Sequence, residues 1–146
     1  MKLISYSARH LDEILAEGFN RGAPSSTFGM DAYKSELEKA SYSYTVVCGD
    51  DIVMCCGLLP MWDGVADTWM LGSVKLHKHR SDFIRHAKGA MLSVFNDLGM
   101  RRVQGAVSVN WEEAARFVHY MGFEEEGVMR KYGPDGSDYI RVAWVR

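Results

Sequence analysis

Residues 110–145 read NWEEAARFVHYMGFEEEGVMRKYGPDGSDYIRVAWV, and the fold is decided there. Asn110 stands where a helix cap is wanted, and Glu113 follows at the capping-box spacing. Ala114, Phe117, Val118 and Met121 then recur at i, i+3, i+4 and i+7, the signature of one apolar helical face. Gly122 ends that helix at the position where a left-handed residue is usual. Two strand-like runs follow, 124–132 and 138–145, joined by the turn Pro134-Asp135-Gly136. Phe117 and Trp144 are expected in the core.

Working outward, 102–109 reads as a strand. Before it, 80–98 has a helical period, with Phe83, Ile84, Ala87, Met91, Leu92 and Phe95 on one face and Gly99 closing it. The run 65–76 is a further strand carrying Trp69 and Leu71, with Gly72 as a possible bulge. Residues 52–59 are apolar on both faces, as a strand in mid-sheet should be, and Pro60 to Gly64 should break it. Residues 42–48 form its hairpin partner across a turn at Gly49-Asp50-Asp51. A short helix turns Tyr33, Leu37 and Ala40 inward and Lys34, Glu36, Glu38 and Lys39 toward water. The stretch 20–29, NRGAPSSTFG, is a loop. Ser7 can cap a first helix whose inner face is Leu11, Ile14, Leu15 and Phe19, and 2–6 is the first strand. The order is β-α-α-β-β-β-α-β-α-β-β over one domain, 1–146.

Composition narrows the class. The chain has 146 residues, 47% hydrophobic and 25% charged, ordinary values for a globular domain. No apolar run approaches the ~20 residues of a membrane span. The first residues turn polar too soon for a signal peptide, so a cytoplasmic protein is expected. The cysteines, Cys48, Cys55 and Cys56, are odd in number, and the adjacent pair leaves a strand on opposite faces. Buried thiols are expected, not a disulfide framework or a zinc site. The net charge of −2 conceals a basic segment: Lys75, Lys78, Arg80, Arg85 and Lys88 face only Asp82 in sequence. That favours a local anion site over general nucleic-acid binding.

The element order, with "Gly-Phe" after the last helix, resembles the GCN5-related N-acetyltransferases, the GNAT family. The resemblance implies an α/β (α+β) fold with a mixed, mostly antiparallel sheet of six or seven strands and four helices, splayed between the fourth and fifth strands. It also implies acetyl-CoA as cofactor and a small-molecule or protein amine as acceptor, arriving over the loop 20–29. The pantetheine arm would lie along Leu71, Gly72, Ser73 and Val74, between the splayed strands, with Asn110 also contributing to the cofactor site. The family wraps the pyrophosphate in a Gln/Arg-x-x-Gly-x-Gly/Ala turn at a helix start, where orphan amides and the helix dipole attract anions. Here that frame falls on His79-Arg80-Ser81-Asp82-Phe83-Ile84. A second frame, His86 to Met91, recovers one glycine but shortens the helix. In the first frame both glycines are missing, Asp82 brings a carboxylate to the cradle and Phe83 brings bulk. Lys75, Lys78, Arg80, Arg85 and Lys88, with His77 and His79, would then hold phosphates by charge-assisted side-chain bonds, with Ser81 in the same frame.

For the chemistry, the family's base on the fourth strand falls on Thr68 or Met70. The adjacent Asp67 lies on the opposite face by alternation unless the Gly72 region shifts the register, and Asp63 in the preceding loop is a further candidate. The family's tyrosine four residues before Gly122 is Val118 here. Tyr120 lies about 200° further round the helix. Tyr120 and His119 are the remaining proton-carrying candidates. No metal is implied: His77 and His79 alternate but have no third ligand and sit among cations. Trp69 and Leu71, the basic helix start, and Arg116-Phe117 with Gly122-Phe123 also resemble the small GNAT-like proteins of tailed bacteriophages, one branch of which is an internal virion protein. That likeness implies a binding role toward phage or host protein, in host cytoplasm or virion, and a possible homodimer. Fold alone does not choose between them.

Overall fold

A computed structural model describes residues 1–17, 34–39 and 42–146. Its elements are β1 (Lys2–Ser5), α1 (Ala8–Glu17), α2 (Lys34–Lys39), β2 (Ser43–Cys48), β3 (Asp51–Trp62), β4 (Val65–Gly72), α3 (Arg80–Asp97), β5 (Arg102–Ser108), α4 (Glu112–Met121), β6 (Glu124–Met129) and β7 (Tyr139–Val145). A 3-10 turn, Val74–His77, joins β4 to α3. The strands form one seven-stranded sheet in the order β1-β2-β3-β4-β5-β7-β6. Every neighbouring pair is antiparallel except β4 and β5, which are parallel. The expected element order, sheet and helix count are all present. The readings for Phe19, Tyr33, Ala40 and the loop 20–29 lie outside the described residues.

Strand alternation sends side chains to two cores. On one face α3 and α4 pack Phe83, Phe95, Val118 and Met121 against Met54, Val103 and Val107. On the other, Tyr6, Leu11, Ile14 and Leu37 cover Cys55 and Leu71. Cys55 is fully buried in this second core while Cys56 packs against the first, so the neighbours do part to opposite faces. Leu11, Ile14 and Leu37 are buried, as the helical periods required.

Several local readings are corrected. Asn110 does not cap α4: Trp111 takes the cap position, with no side-chain bond, and Asn110 lies one residue before it, its N–H donating to Ser108 Oγ at 3.3 Å. Glu112 and Glu113 instead lie in the first turn, where carboxylates complement the positive end of the helix dipole. Gly122 does close α4, at φ 97°. Pro60 does not end its strand. β2 stops pairing with β3 at Gly57, and the last bond on that side is from Leu58 N–H to the Tyr42 carbonyl at 3.0 Å; at Pro60 β3 pairs with β4, and a residue without an N–H is tolerated on the other side. The turn is Asp63-Gly64, with Gly64 at φ 67°. β4 ends at Gly72, not Leu76, and Gly72 pairs regularly with Met54 instead of bulging. β6 ends at Met129, short of Tyr132. Phe117 and Trp144 pack against the core but are only half-buried.

One close approach fixes the middle of the sheet. Gly57 lies between Ser43 and Trp69 in register. A Cβ there would stand 2.7 Å from Trp69 Nε1, 2.8 Å from Ser43 Oγ and 2.9 Å from the Tyr42 carbonyl. The last is backbone and cannot swing aside. Gly57→Ala is therefore expected to destabilise by about 1–3 kcal/mol, the usual cost of overpacking. Chemical denaturation checks it, and an unchanged midpoint would mean the indole does not lie across Gly57.

Candidate active site

Strands β4 and β5 pair over only three residues: Val65 with Arg102, Ala66 with Val103, and Asp67 with Gln104. Beyond that point β4 stays bonded to β3 as far as Gly72, and β5 stays bonded to β7 as far as Ser108. Each strand follows its own half of the sheet, and the sheet forks. The first unpaired residues are Thr68 and Gly105. A Cβ on Gly105 would lie 3.1 Å from Thr68 Cγ2, so any side chain there would crowd the base of the fork. The fork opens into a groove of about 1130 Å³. Its walls include Trp69, Met70 and Gly72 from β4, Ala106 and Val107 from β5, and Phe117 and Val118 from α4. Trp69, Met70 and Phe83 line this space without closing it. From Asp67 to Gly72 the open edge of β4 runs roughly 17 Å at ordinary strand rise.

The mouth of the groove lies at the start of α3, where His77, Arg80 and Ser81 line it. The first N–H of this helix to reach a carbonyl is that of Phe83, which donates to His79 O at 2.9 Å. The N–H groups of Arg80, Ser81 and Asp82 precede it, and no side chain caps them. The imidazole at the cap, His79, is turned to Asp51 instead, Nε2 to Oδ2 at 2.7 Å.

Two expected obstacles are absent. Asp82 does not face the groove; it pairs with the Met1 amine at 2.9 Å and His86 at 3.1 Å. Phe83 is 3% exposed, its ring directed into the core against Phe117. The amide donors of the first frame are therefore clear of both the carboxylate and the bulk.

Part of the basic cluster is spoken for. Lys75 pairs with Glu13 at 3.2 Å and Glu17 at 2.9 Å, and Lys78 with Asp51 at 3.1 Å. His79 and Lys78 hold the Asp51 carboxyl down from 3.8 to about 2. Arg85 and Lys88 are exposed, and neither lines the groove; Lys88 Nζ sits 5.9 Å from the Tyr120 ring centroid. Arg80 is left as the cation at the mouth.

The other candidates separate. Asp67 lines the groove at its base and pairs with Arg141, Nη1 to Oδ1 at 3.4 Å. Tyr120 lines it too, but its hydroxyl donates to Ile84 O at 2.9 Å, tying α4 to α3. His119 is not on the groove; its ring meets Glu125 at 3.0 Å. Asn110 is exposed and off the groove, Leu71 is buried under α1, and Ser73 is buried as the cap of the 3-10 turn, accepting from Lys75 N–H. Val74 is exposed beyond the strand end. Burial pushes the Cys55 thiol up to about 11 and the Cys56 thiol to about 12, which removes either as a thiolate nucleophile at neutral pH.

Sequence reading missed Gly105, Trp111, Tyr132, Tyr139 and Arg141, all on the groove. Trp111 Nε1 is buried there with no hydrogen-bond partner, a donor left for something else. Arg141 carried a legible signal: it interrupts an otherwise apolar last strand. Among the described residues no group of His, Cys, Asp or Glu is arranged to hold a metal, and no helix is long and apolar enough to cross a membrane.

With this geometry in place, the comparisons agree on the fold. Ard1 from Thermoplasma volcanium superposes with a TM-score of 0.77 at 14% identity, over 99% of this chain and 96% of that one. A GNAT-family acetyltransferase from Bacillus anthracis gives 0.74 at 10% identity, over 98% and 93%. A spermidine N-acetyltransferase SpeG chimera from Vibrio cholerae and hSSAT gives 0.72 at 15%, over 99% and 96%. The chain has the GNAT fold. The narrower likeness to phage proteins finds no support among these structures. No family model and no curated protein match the sequence.

The Asp51 network has a measurable consequence. A carboxyl depressed in the folded chain stabilises above its unfolded pKa and loses that contribution as pH falls through the folded value. Asp51→Asn should therefore melt lower than the parent at neutral pH. The difference should close between about pH 4 and about pH 2. A gap that stays constant over that range would mean the His79 and Lys78 contacts do not hold in solution.

Proposed function

We propose that the chain is an acetyl-CoA-dependent N-acetyltransferase acting on a primary amine. The observation that carries this is the fork between β4 and β5, open as a groove from an uncapped helix start to Asp67. The residues present fit the cofactor. An extended arm would lie along the free edges of Thr68–Gly72 and Gly105–Ser108, where strand backbone lacks a strand opposite. The N–H groups of Arg80, Ser81 and Asp82, with the Arg80 side chain, would take phosphate oxygens. Trp111 Nε1 is a further donor inside the groove.

When bound, acetyl-CoA supplies an acyl group already activated as a thioester. The chain's own residues then have modest tasks. The groove walls exclude water with Met70, Phe117 and Val118, and Asp67 at its base accepts a hydrogen bond from the incoming amine. Positioning and desolvation of this kind do not require a dedicated proton carrier. Acetyl transfer is also what the names of the similar structures describe for those proteins.

A second reading rests on Val118, which leaves no hydroxyl where the family places its tyrosine. Under it the chain is a catalytically silent GNAT-fold protein that binds another protein, the phage resemblance being one case.

Titration with acetyl-CoA separates the two. At about a hundred times its Kd, the cofactor should add ~2.7 kcal/mol of stability. Arg80→Ala should weaken binding roughly tenfold, the effect of losing a charge-assisted contact. Gly105→Val should abolish binding while the chain still melts cooperatively. No shift at millimolar acetyl-CoA would sink the enzyme reading and favour the binder.

A further inference from the structure

At the base of the groove two opposite charges meet loosely. Asp67 and Arg141 share one contact, Nη1 to Oδ1, at 3.4 Å, long for a charge-assisted bond. No other hydrogen bond joins either side chain to the described residues, which leaves one carboxylate oxygen and most of the guanidinium unused. Both are accessible, with side chains 42% and 28% exposed. The contrast lies on the same sheet face. Arg102 there uses all three of its nitrogens, donating to both oxygens of Glu126 and to Gln104 Oε1 at 2.9 Å. One guanidinium is thus satisfied internally, and its neighbour has donors to spare.

The surroundings specify more. Arg141 follows Tyr139 by two residues on β7, so the two side chains leave the strand on the same face. Tyr139 packs edge-on against Tyr132, ring centroids 5.5 Å apart, and both rings line the groove. An aromatic wall, an anion and a cation therefore stand together where β4 and β5 part. A ligand carrying an ammonium and a carboxylate on one carbon matches this pair, because its charges are separated by about the same short distance as those of Asp67 and Arg141. Inserting it replaces one long contact with two good ones. A purely cationic amine would satisfy Asp67 but would be repelled by Arg141 once their contact was broken.

We infer that the acceptor is an α-amino acid, with its carboxylate on Arg141, its amine directed by Asp67 and its side chain against Tyr132 and Tyr139. This rests on the acetyltransferase reading. The transfer forms the amide N–C bond and breaks the thioester C–S bond. Of the two protons the ammonium gives up, one ends on the released thiol and the other in solvent.

The test uses the full chain with acetyl-CoA and the twenty L-α-amino acids, each beside its carboxamide, with putrescine as a carboxylate-free amine. Thiol release reports turnover, and thermal shift without cofactor reports acceptor binding. At least one amino acid should exceed its carboxamide roughly ten- to hundredfold in kcat/KM, as a charge-assisted bond implies. The same acid, and not its carboxamide, should raise the melting temperature. Arg141→Gln, checked for an unchanged fold by its melting curve, should bring that preference close to one. Carboxamides or putrescine turned over as well as the amino acids would overturn the inference and leave the acetyltransferase reading intact. Turnover of no amine, with no stabilisation by acetyl-CoA, would sink both.

Discussion

The groove in this molecule depends on three rungs of parallel pairing and on their stopping there. Past Asp67 and Gln104, β4 and β5 are each committed to an antiparallel neighbour, and the two halves of the sheet diverge. The consequence is unusual for the middle of a sheet. Two stretches of strand backbone face each other across a groove with no ladder between them. Buried N–H and C=O groups are rarely left without partners, and a groove lined by such edges suits a ligand that is itself amide-bearing and extended. Gly105 keeps the base of the fork open, because even a methyl group there would press on Thr68.

Charge is distributed against the simplest expectation. The basic segment before α3 looks in sequence like an anion site, yet much of it stabilises the fold. Asp51 at the start of β3 gathers Lys78 and His79, while Glu13 and Glu17 on α1 draw in Lys75. That network fastens the 3-10 turn to the sheet and to α1, which fixes where α3 begins. By drawing the His79 ring away from the helix start it leaves the first-turn amides uncapped. The N–H groups of Arg80, Ser81 and Asp82 are thereby left clear of the side chains that the sequence frame sets beside them. The side chains at 82 and 83 simply point elsewhere.

The element order was legible because helical and strand periods are local properties, and Gly99 and Gly122 end their helices as a left-handed residue should. The failures were also local, and each had a competitor. Asn110 lies one residue before the cap position, which Trp111 takes, and Pro60 survives in a strand because β2 has already ended. The site was harder to read. Asp67 and Arg141 stand 74 residues apart, and only the registers of β4, β5 and β7 bring them together. A one-residue slip in any of those pairings would put them on opposite faces. No periodicity encodes that. The family frame placed Arg80 and Ser81 at the start of α3, where both line the groove, whereas Trp111, Tyr132 and Tyr139 carry no motif.

The central claim is that the fork is a binding groove for an extended cofactor anchored at the start of α3. Backbone amide resonances followed during a titration with acetyl-CoA address it residue by residue. The account predicts perturbations concentrated at Thr68–Gly72, Gly105–Ser108 and Arg80–Asp82, with Gly49 and Gly136 at distant turns unmoved. Perturbations confined to other surfaces, or none at saturating cofactor, would contradict it.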